Sequence, residues 1–299
     1  MASHTAPTVW RLGGLRARTL ARNVWNEMND DDVWGHAAEL SYYWLLAIFP
    51  LLIFLLALFG LMAGEGSQFR AALFEHVDRL APPDASGLIQ QTVDQVSDRA
   101  SGGLLSFGIL MALLMASEGT RAMITTLNQV YEVQERRPWW KQRLVAIALT
   151  FLLAVMITVG LAGVVLGGPF ADWVGRVTRL GDWISITWQV ARWPLAILFA
   201  MLGFGAVFYW GPNFREHRWY WVTPGAITAV VLWLAASIGF NVYLSYFNYY
   251  GATYGSLGAV IILLFWLYLT GVALLTGGEI NAEIEAAAAK RRRLAASHD

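Results

Sequence analysis

Apolar residues fill six long blocks of the chain, at 37–63, 104–127, 144–166, 187–210, 222–247 and 257–278. Each reaches the roughly 20 residues that a helix needs to cross a bilayer. A strand of an outer-membrane barrel would alternate apolar and polar positions over about ten residues. Runs such as PLLIFLLALFGLM and AVIILLFWLYL do not alternate, so the pattern predicts helices. Thr223 followed by Pro224 supplies an N-cap and a first-turn proline for the fifth of them. The 60 residues from Trp219 to Gly278 carry no charged side chain, which predicts an antiparallel hairpin of two spans joined around Asn248 to Ser256.

The segments between the blocks divide the chain further. Residues 1–36 are an N-terminal segment, 37–280 a six-helix membrane domain, and 281–299 a basic tail. The first segment is not a secretory signal, because its basic stretch is followed by Asp30, Asp31 and Asp32 rather than by a short apolar core and cleavage site. Within it Leu20, Ala21, Val24, Trp25 and Met28 recur at helical spacing, fitting either a helix on the membrane surface or one packed beneath the bundle. In the segment 64–102, Phe69, Leu73, Val77 and Leu80 repeat at helical spacing, Pro82 and Pro83 interrupt, and Leu88, Ile89, Thr92, Val93 and Val96 resume. This predicts a pair of external amphipathic helices, and Trp173, Val174 and Val177 carry a weaker version of the same pattern.

Basic residues orient the spans, since Lys and Arg concentrate in cytoplasmic segments. One side carries Arg11, Arg16, Arg18, Arg22, Arg136, Arg137, Lys141, Arg143, Arg215, Arg218, Lys290, Arg291, Arg292 and Arg293, fourteen in all. The other carries five: Arg70, Arg79, Arg99, Arg176 and Arg179. Both termini are therefore expected in the cytoplasm. Composition agrees with a lipid environment, being 57% hydrophobic and 14% charged, against about a quarter charged in a soluble domain. The 21 basic residues balance the 21 acidic ones, so net charge points to no nucleic acid or acidic substrate. Cysteine is absent and the five His are scattered, which leaves no thiolate or paired-His metal motif.

Ionisable groups at bilayer depth cost at least about 2.5 to 3.5 kcal/mol and so mark candidate sites. Glu118 and Arg121, three apart in the second block, share a helix face. Glu118 lies roughly 21 Å below Leu104 at 1.5 Å per residue, in the inner half of the hydrocarbon core. The pair fits a self-neutralising structural unit or the wall of a pathway. Glu39, Asn128, Glu279 and Asn281 lie at similar inner depth and with that pair suit a vestibule open to the cytoplasm; Asn213 and Glu283 read better as helix-end residues reaching the headgroups. Pro50 and Pro194 each break a helix within a span. Lys290, Arg291, Arg292 and Arg293 suit contact with anionic lipid headgroups. ALLMASE at 112–118 echoes ALLTGGE at 273–279 and pairs Glu118 with Glu279.

Several longer motifs coincide in one chain. They are AAELSYYWLLAIFPLL at 37–52, LNQVYEV at 127–133, PGA from Pro224, Trp233, Ser237, Phe240, Tyr243, Phe247 and Tyr250, YGSLGA at 254–259, WLY at 266–268 and GGEINAE at 277–283. Together, from about Asp31 to Glu285, they resemble the YihY/BrkB family of bacterial inner-membrane proteins. The resemblance implies a six-helix inner-membrane protein, linked by name to virulence and serum resistance. In some members it implies export of lipid or lipopolysaccharide precursors. The family's legacy label is ribonuclease BN, but a metal nuclease needs clustered His and carboxylate ligands exposed to RNA, which this pattern lacks. The expectation is therefore an all-α polytopic membrane protein without cofactor or metal and with membrane lipids as partners. It would translocate a lipid-like or anionic amphiphile, the other reading being an assembly or envelope-integrity protein without flux.

Overall fold

The computed structural model describes residues 9–62, 103–178, 181–214, 223–246 and 250–297. Among them every regular element is helical. A 3-10 turn, Val9–Gly14, precedes α1 (Ala17–Asp30), α2 (Val33–Met62), α3 (Gly103–Val130), α4 (Trp139–Thr178), α5 (Gly181–Trp210), α6 (Pro224–Tyr246) and α7 (Tyr250–Ala296). By length and apolar composition four stretches among the described residues can cross a bilayer: Trp139–Gly160, Thr187–Trp210, Pro224–Leu244 and Val260–Arg291. These answer to the third to sixth apolar blocks, while α2 and α3 occupy the first two. The expected amphipathic helices of 64–102 lie outside the described residues.

The long helices exceed their apolar blocks. At about 1.5 Å per residue, the 47 residues of α7 extend roughly 70 Å, more than twice a hydrocarbon core of about 30 Å. The stretch read as a basic tail continues this helix as far as Ala296. Pro50 and Pro194 sit inside α2 and α5, which run through them as single helices.

The chain forms two compact units, one of residues 1–46, 119–146 and 201–299, the other of 47–118 and 147–200. In the second unit Phe54, Ala112 and Ala154 are buried together, with Leu51, Leu55 and Leu113 against them. Phe54 meets Phe151 edge-on at 6.2 Å between ring centroids.

The first unit centres on α7. Leu40, Ile124, Leu127, Leu275 and Ile284 are its largest fully buried apolar side chains. Helices α6 and α7 form the expected hairpin, and glycines set how closely they approach: a Cβ on Gly277 would stand 2.6 Å from the Gly225 carbonyl oxygen and 2.8 Å from the Ala229 methyl. Further along, Trp266 donates from Nε1 to Ser237 Oγ at 3.2 Å and meets Trp233 at 6.2 Å.

Helix α1 packs on α7 through Leu20, Val24 and Met28. Of the five apolar residues at helical spacing, these three are the buried ones. Ala21 and Trp25 face outward, and Trp25 packs edge-on against Trp34 at 6.4 Å. The preceding turn lies flat on α7. Gly13 has φ +59°, and a Cβ there would stand 2.5 Å from the Ile284 carbonyl oxygen, so the close approach depends on glycine.

Candidate functional site

Polar residues of the first unit gather where α1 and α3 end and α6 begins, beside residues 279–283 in the interior of α7. The start of α6 is one focus. The four leading N–H groups of a helix have no partner within it, and here two are met by named side chains. Thr223 Oγ1 accepts from Ala226 N at 3.1 Å, as an N-cap does, and Asn281 Oδ1 accepts from Gly225 N at 3.0 Å. Asn281 also donates from Nδ2 to Thr223 Oγ1 at 3.0 Å. One buried amide therefore ties α7 to the cap of α6.

A second focus is acidic. Asp31 ends α1, its N–H donating to the Glu27 carbonyl at 2.8 Å. Asp32 follows with φ +47° and accepts from Gly35 N at 3.3 Å, which starts α2. This tight turn sets the Asp31 carboxyl within hydrogen-bond reach of Glu279 on α7. Glu279 is only 1% exposed, and its Oε1 has no hydrogen-bond partner among the described residues. Burial pushes the Asp31 carboxyl above its ordinary value and Glu132 and Asp30 push the same way, against His36 and the hydrogen bond with Glu279. Burial likewise raises Glu27, helped by Glu283, Asp31, Asp30 and Glu132. Glu283 accepts from Asn23 Nδ2 at 2.9 Å, joining α1 to α7 a second time. Tyr131 completes the rim. Burial holds its phenol well above the ordinary range, with Asn281 as its side-chain hydrogen-bond partner.

A third network locks the segment between α3 and α4. Asn128 donates to Glu135 Oε2 at 3.0 Å and accepts from Asn213 N at 2.9 Å. Arg137 Nε reaches Glu135 Oε1 at 2.8 Å, Nη2 reaches Oε2 at 2.6 Å, and Nη2 also donates to the Gly211 carbonyl at 2.9 Å. A cation on the carbonyls just past α5 also suits the negative end of that helix. Burial would raise Glu135, but hydrogen bonds from the Arg137 side chain, the Arg137 N–H and Asn128 prevail and hold it below its ordinary value. A cavity of about 320 Å³ lies beside this network, lined by Thr125, Asn128, Gln129, Glu132 and Gln142 among others.

Of the residues expected in one vestibule, the structure brings Glu279 and Asn281 together and places Asn128 in the separate α3–α4 network. Glu39 faces outward, 54% exposed, near His36 Nδ1 at 3.5 Å. Glu118 is half-buried in the second unit, and Arg121 is exposed in the first. Lys290, Arg291 and Arg293 are exposed on α7, with Arg291 donating to the Gly14 carbonyl, while the Arg292 side chain lies outside the described residues. Asp31, Glu27, Tyr131 and the Glu135–Arg137 pair were not singled out by the sequence pattern. A signal existed for Asp31 in the run Asp30 to Asp32, which marked only where the N-terminal segment ends. Among the described residues no three His, Asp or Glu side chains converge closely enough to hold a metal ion.

Long apolar helices with outward-facing Phe49, Met115 and Ile238, at 58–65% exposure, and a buried carboxyl at the base of one of them define a multi-pass membrane protein. The chain belongs to the BrkB family: the family described as Virulence factor BrkB matches residues 24–299. Among its relatives, a ribonuclease-like protein of Bacillus subtilis (strain 168), YfkH, is 35% identical over 86% of this chain and 90% of its own length. A UPF0761 membrane protein of Rhodospirillum centenum is 31% identical over 83% of this chain, and one of Alkalilimnicola ehrlichii 30% over 87%. The chain spans 53% and 57% of those two proteins. No solved structure matches it.

Proposed function

We propose that this protein is an inner-membrane translocase of a lipid-like, anionic amphiphile, with six spans and both termini in the cytoplasm. The observation that carries this reading is an apolar groove between α6 and α7, of about 520 Å³, lined by Ala236, Gly239, Phe240, Tyr243, Ile261 and Phe265 among others. It lies within the candidate spans Pro224–Leu244 and Val260–Arg291, and its size and apolar lining suit the hydrocarbon part of a ligand. The groove has open space beside Gly239, where a Cβ would meet nothing within 4 Å. The exposed Lys290, Arg291 and Arg293 lie 25 or more residues beyond Phe265, about 38 Å along the same helix, so they suit anionic headgroups of the surrounding membrane surface and not the headgroup of the molecule in the groove. The excess of Lys and Arg on one side of the spans supports the orientation. No RNA-hydrolysing role is proposed, although YfkH is named ribonuclease-like. Such chemistry needs converging ligands or an activated base beside a nucleic-acid surface, and no residue set described above has that form.

The test is reconstitution into vesicles containing a headgroup-labelled anionic phospholipid, with transbilayer movement followed by chemical quenching of the outer leaflet. The wild-type protein should accelerate movement over protein-free vesicles. Gly239→Leu, which fills the groove, should abolish the acceleration while leaving thermal stability in detergent unchanged. Wild-type vesicles no faster than empty ones would favour the assembly role without flux.

A further inference from the structure

The acidic focus holds a geometry that neither the apolar groove nor the helix caps require. Asp31 and Glu279 face each other at hydrogen-bond reach, yet a carboxylate has no proton to donate. Two adjacent carboxylates cannot both stay ionised in a poorly solvated place, so the pair is satisfied by a single shared proton. Glu279 gives this its force: its side chain is 99% buried, facing Asp31, and Oε1 has no other partner among the described residues. Among the described residues that act on the pair, the charged ones are mostly acidic. The groups acting on it and its neighbours are Glu27 and Asp30 from α1, Glu132 and Tyr131 from the end of α3, and Glu283 and Glu285 from α7. Among the described residues, His36 from α2 acts on Asp31 with the opposite sign.

We propose that Asp31 and Glu279 form a proton-binding site, one proton held between the two carboxyls, and that this proton clamps α1 onto α7. Uptake takes one H+ from water and makes one O–H bond on the pair. Release breaks that bond and returns H+ through Asp31, which is partly exposed. No other bond changes. The raised Asp31 carboxyl agrees with this, because the docked state then binds more protons than the undocked one. Docking is therefore fully supported at low pH and weakens as pH rises past the raised value. Two ionised carboxyls would then repel across the α1–α7 contact, beside Glu27 and Glu283. The site stands whether or not lipid crosses the membrane.

The chain has no cysteine, so spin labels can be placed at the exposed Ala21 and Ala286 through Ala21→Cys and Ala286→Cys in the full-length protein in lipid nanodiscs. Pulsed dipolar spectroscopy should give one narrow distance distribution at about pH 6 that broadens by about pH 9. Glu279→Gln should keep it narrow at both, since an amide donates the missing hydrogen bond without titrating. Asp31→Asn makes the same change from the other side and carries the test if the first variant folds poorly. Infrared difference spectra should show a protonated-carboxyl band at about pH 6 in the parent and not in either variant. A distribution that stays constant across this range, or a carboxyl band that persists in both variants, would overturn the proposal.

Discussion

Replacing Gly225 by Ala adds one methyl where α6 and α7 touch through their backbones. The new Cβ would collide with the Gly277 carbonyl oxygen and stand 2.6 Å from Asn281 Cγ. Neither obstacle can swing away: one is main chain, and the other is fixed by two hydrogen bonds of 3.0 Å each. Relief requires α6 and α7 to part locally. Overpacking of this kind costs about 1–3 kcal/mol. Stretching the buried bond from Gly225 N to Asn281 adds about 1–3 kcal/mol if that N–H is left unpaired. The better helix propensity of Ala returns at most about 1 kcal/mol, and less in the first turn. The expected net is a loss of roughly 3 kcal/mol, or about 6–12 °C in melting temperature at 2–4 °C per kcal/mol. Gly239→Ala is the matched control, the same change on the same helix with nothing within 4 Å. It should leave stability unchanged or raise it by about 0.5–1 kcal/mol. Thermal unfolding of both variants in one detergent decides the matter. A Gly225→Ala protein as stable as Gly239→Ala would refute the reading of this crossing as a backbone contact.

Arg137→Ala should cost about 1–3 kcal/mol, because it strips Glu135 of its charged partner and leaves the Gly211 carbonyl unmet. Glu135 is held below its ordinary value of 4.5, so its contribution is present above about pH 4.5 and lost as pH falls through the lowered value; the variant's melting temperature should show a weaker loss on the acid side. The combined change Lys290→Gln, Arg292→Gln and Arg293→Gln keeps Arg291 on Gly14 and removes three charges. At about 1 kcal/mol each it should weaken retention of anionic lipid by the purified protein roughly a hundredfold, measured against zwitterionic lipid, and equal loss of both lipids would contradict an electrostatic contact. Orientation can be read with Ser86→Cys and Ser297→Cys in intact cells, where an impermeant thiol reagent should label the first and spare the second; the reverse pattern would invert the proposed topology.

Much of the fold was legible because lipid simplifies the rules. A helix must satisfy its backbone internally in hydrocarbon, so an uncharged run such as 222–247 could become little else, and Thr223–Pro224 marked its start to the residue. Helix ends outside the apolar blocks were not legible in the same way. The sequence reading stopped the third and sixth spans at Leu166 and Gly278, where apolar character fades, whereas α4 and α7 continue to Thr178 and Ala296. Ala-rich and charged stretches such as EIEAAAAKRRR have good helix propensity, and a helix already nucleated in the membrane extends into them at little cost. Spacing along α1 marks an apolar face but not which part of it a neighbouring helix covers, and Leu20, Val24 and Met28 are the part that is buried.

The site was legible residue by residue but not as a set. Depth along a helix picked out Glu279 and Asn281, yet depth carries no azimuth, so it also grouped them with Glu39, which faces outward. What distinguishes Glu279 is the partner opposite it, and that partner comes from a turn some 250 residues earlier in the chain. Asp32 at φ +47° bends the backbone so that Asp31 turns toward α7 while Asp32 itself caps α2. Three consecutive Asp residues look equivalent in sequence, and only this turn separates their roles. Their consequences can be separated by experiment. Asp32→Ala should cost about 1 kcal/mol as a lost N-cap, without the pH-dependent gain expected of the carboxyl pair. Asp31→Asn should change stability only where the carboxyl pair is ionised, with the benefit growing as pH rises. If both variants showed the same pH profile, the two carboxyls would be doing the same work, and the assignment of Asp31 to Glu279 would fail.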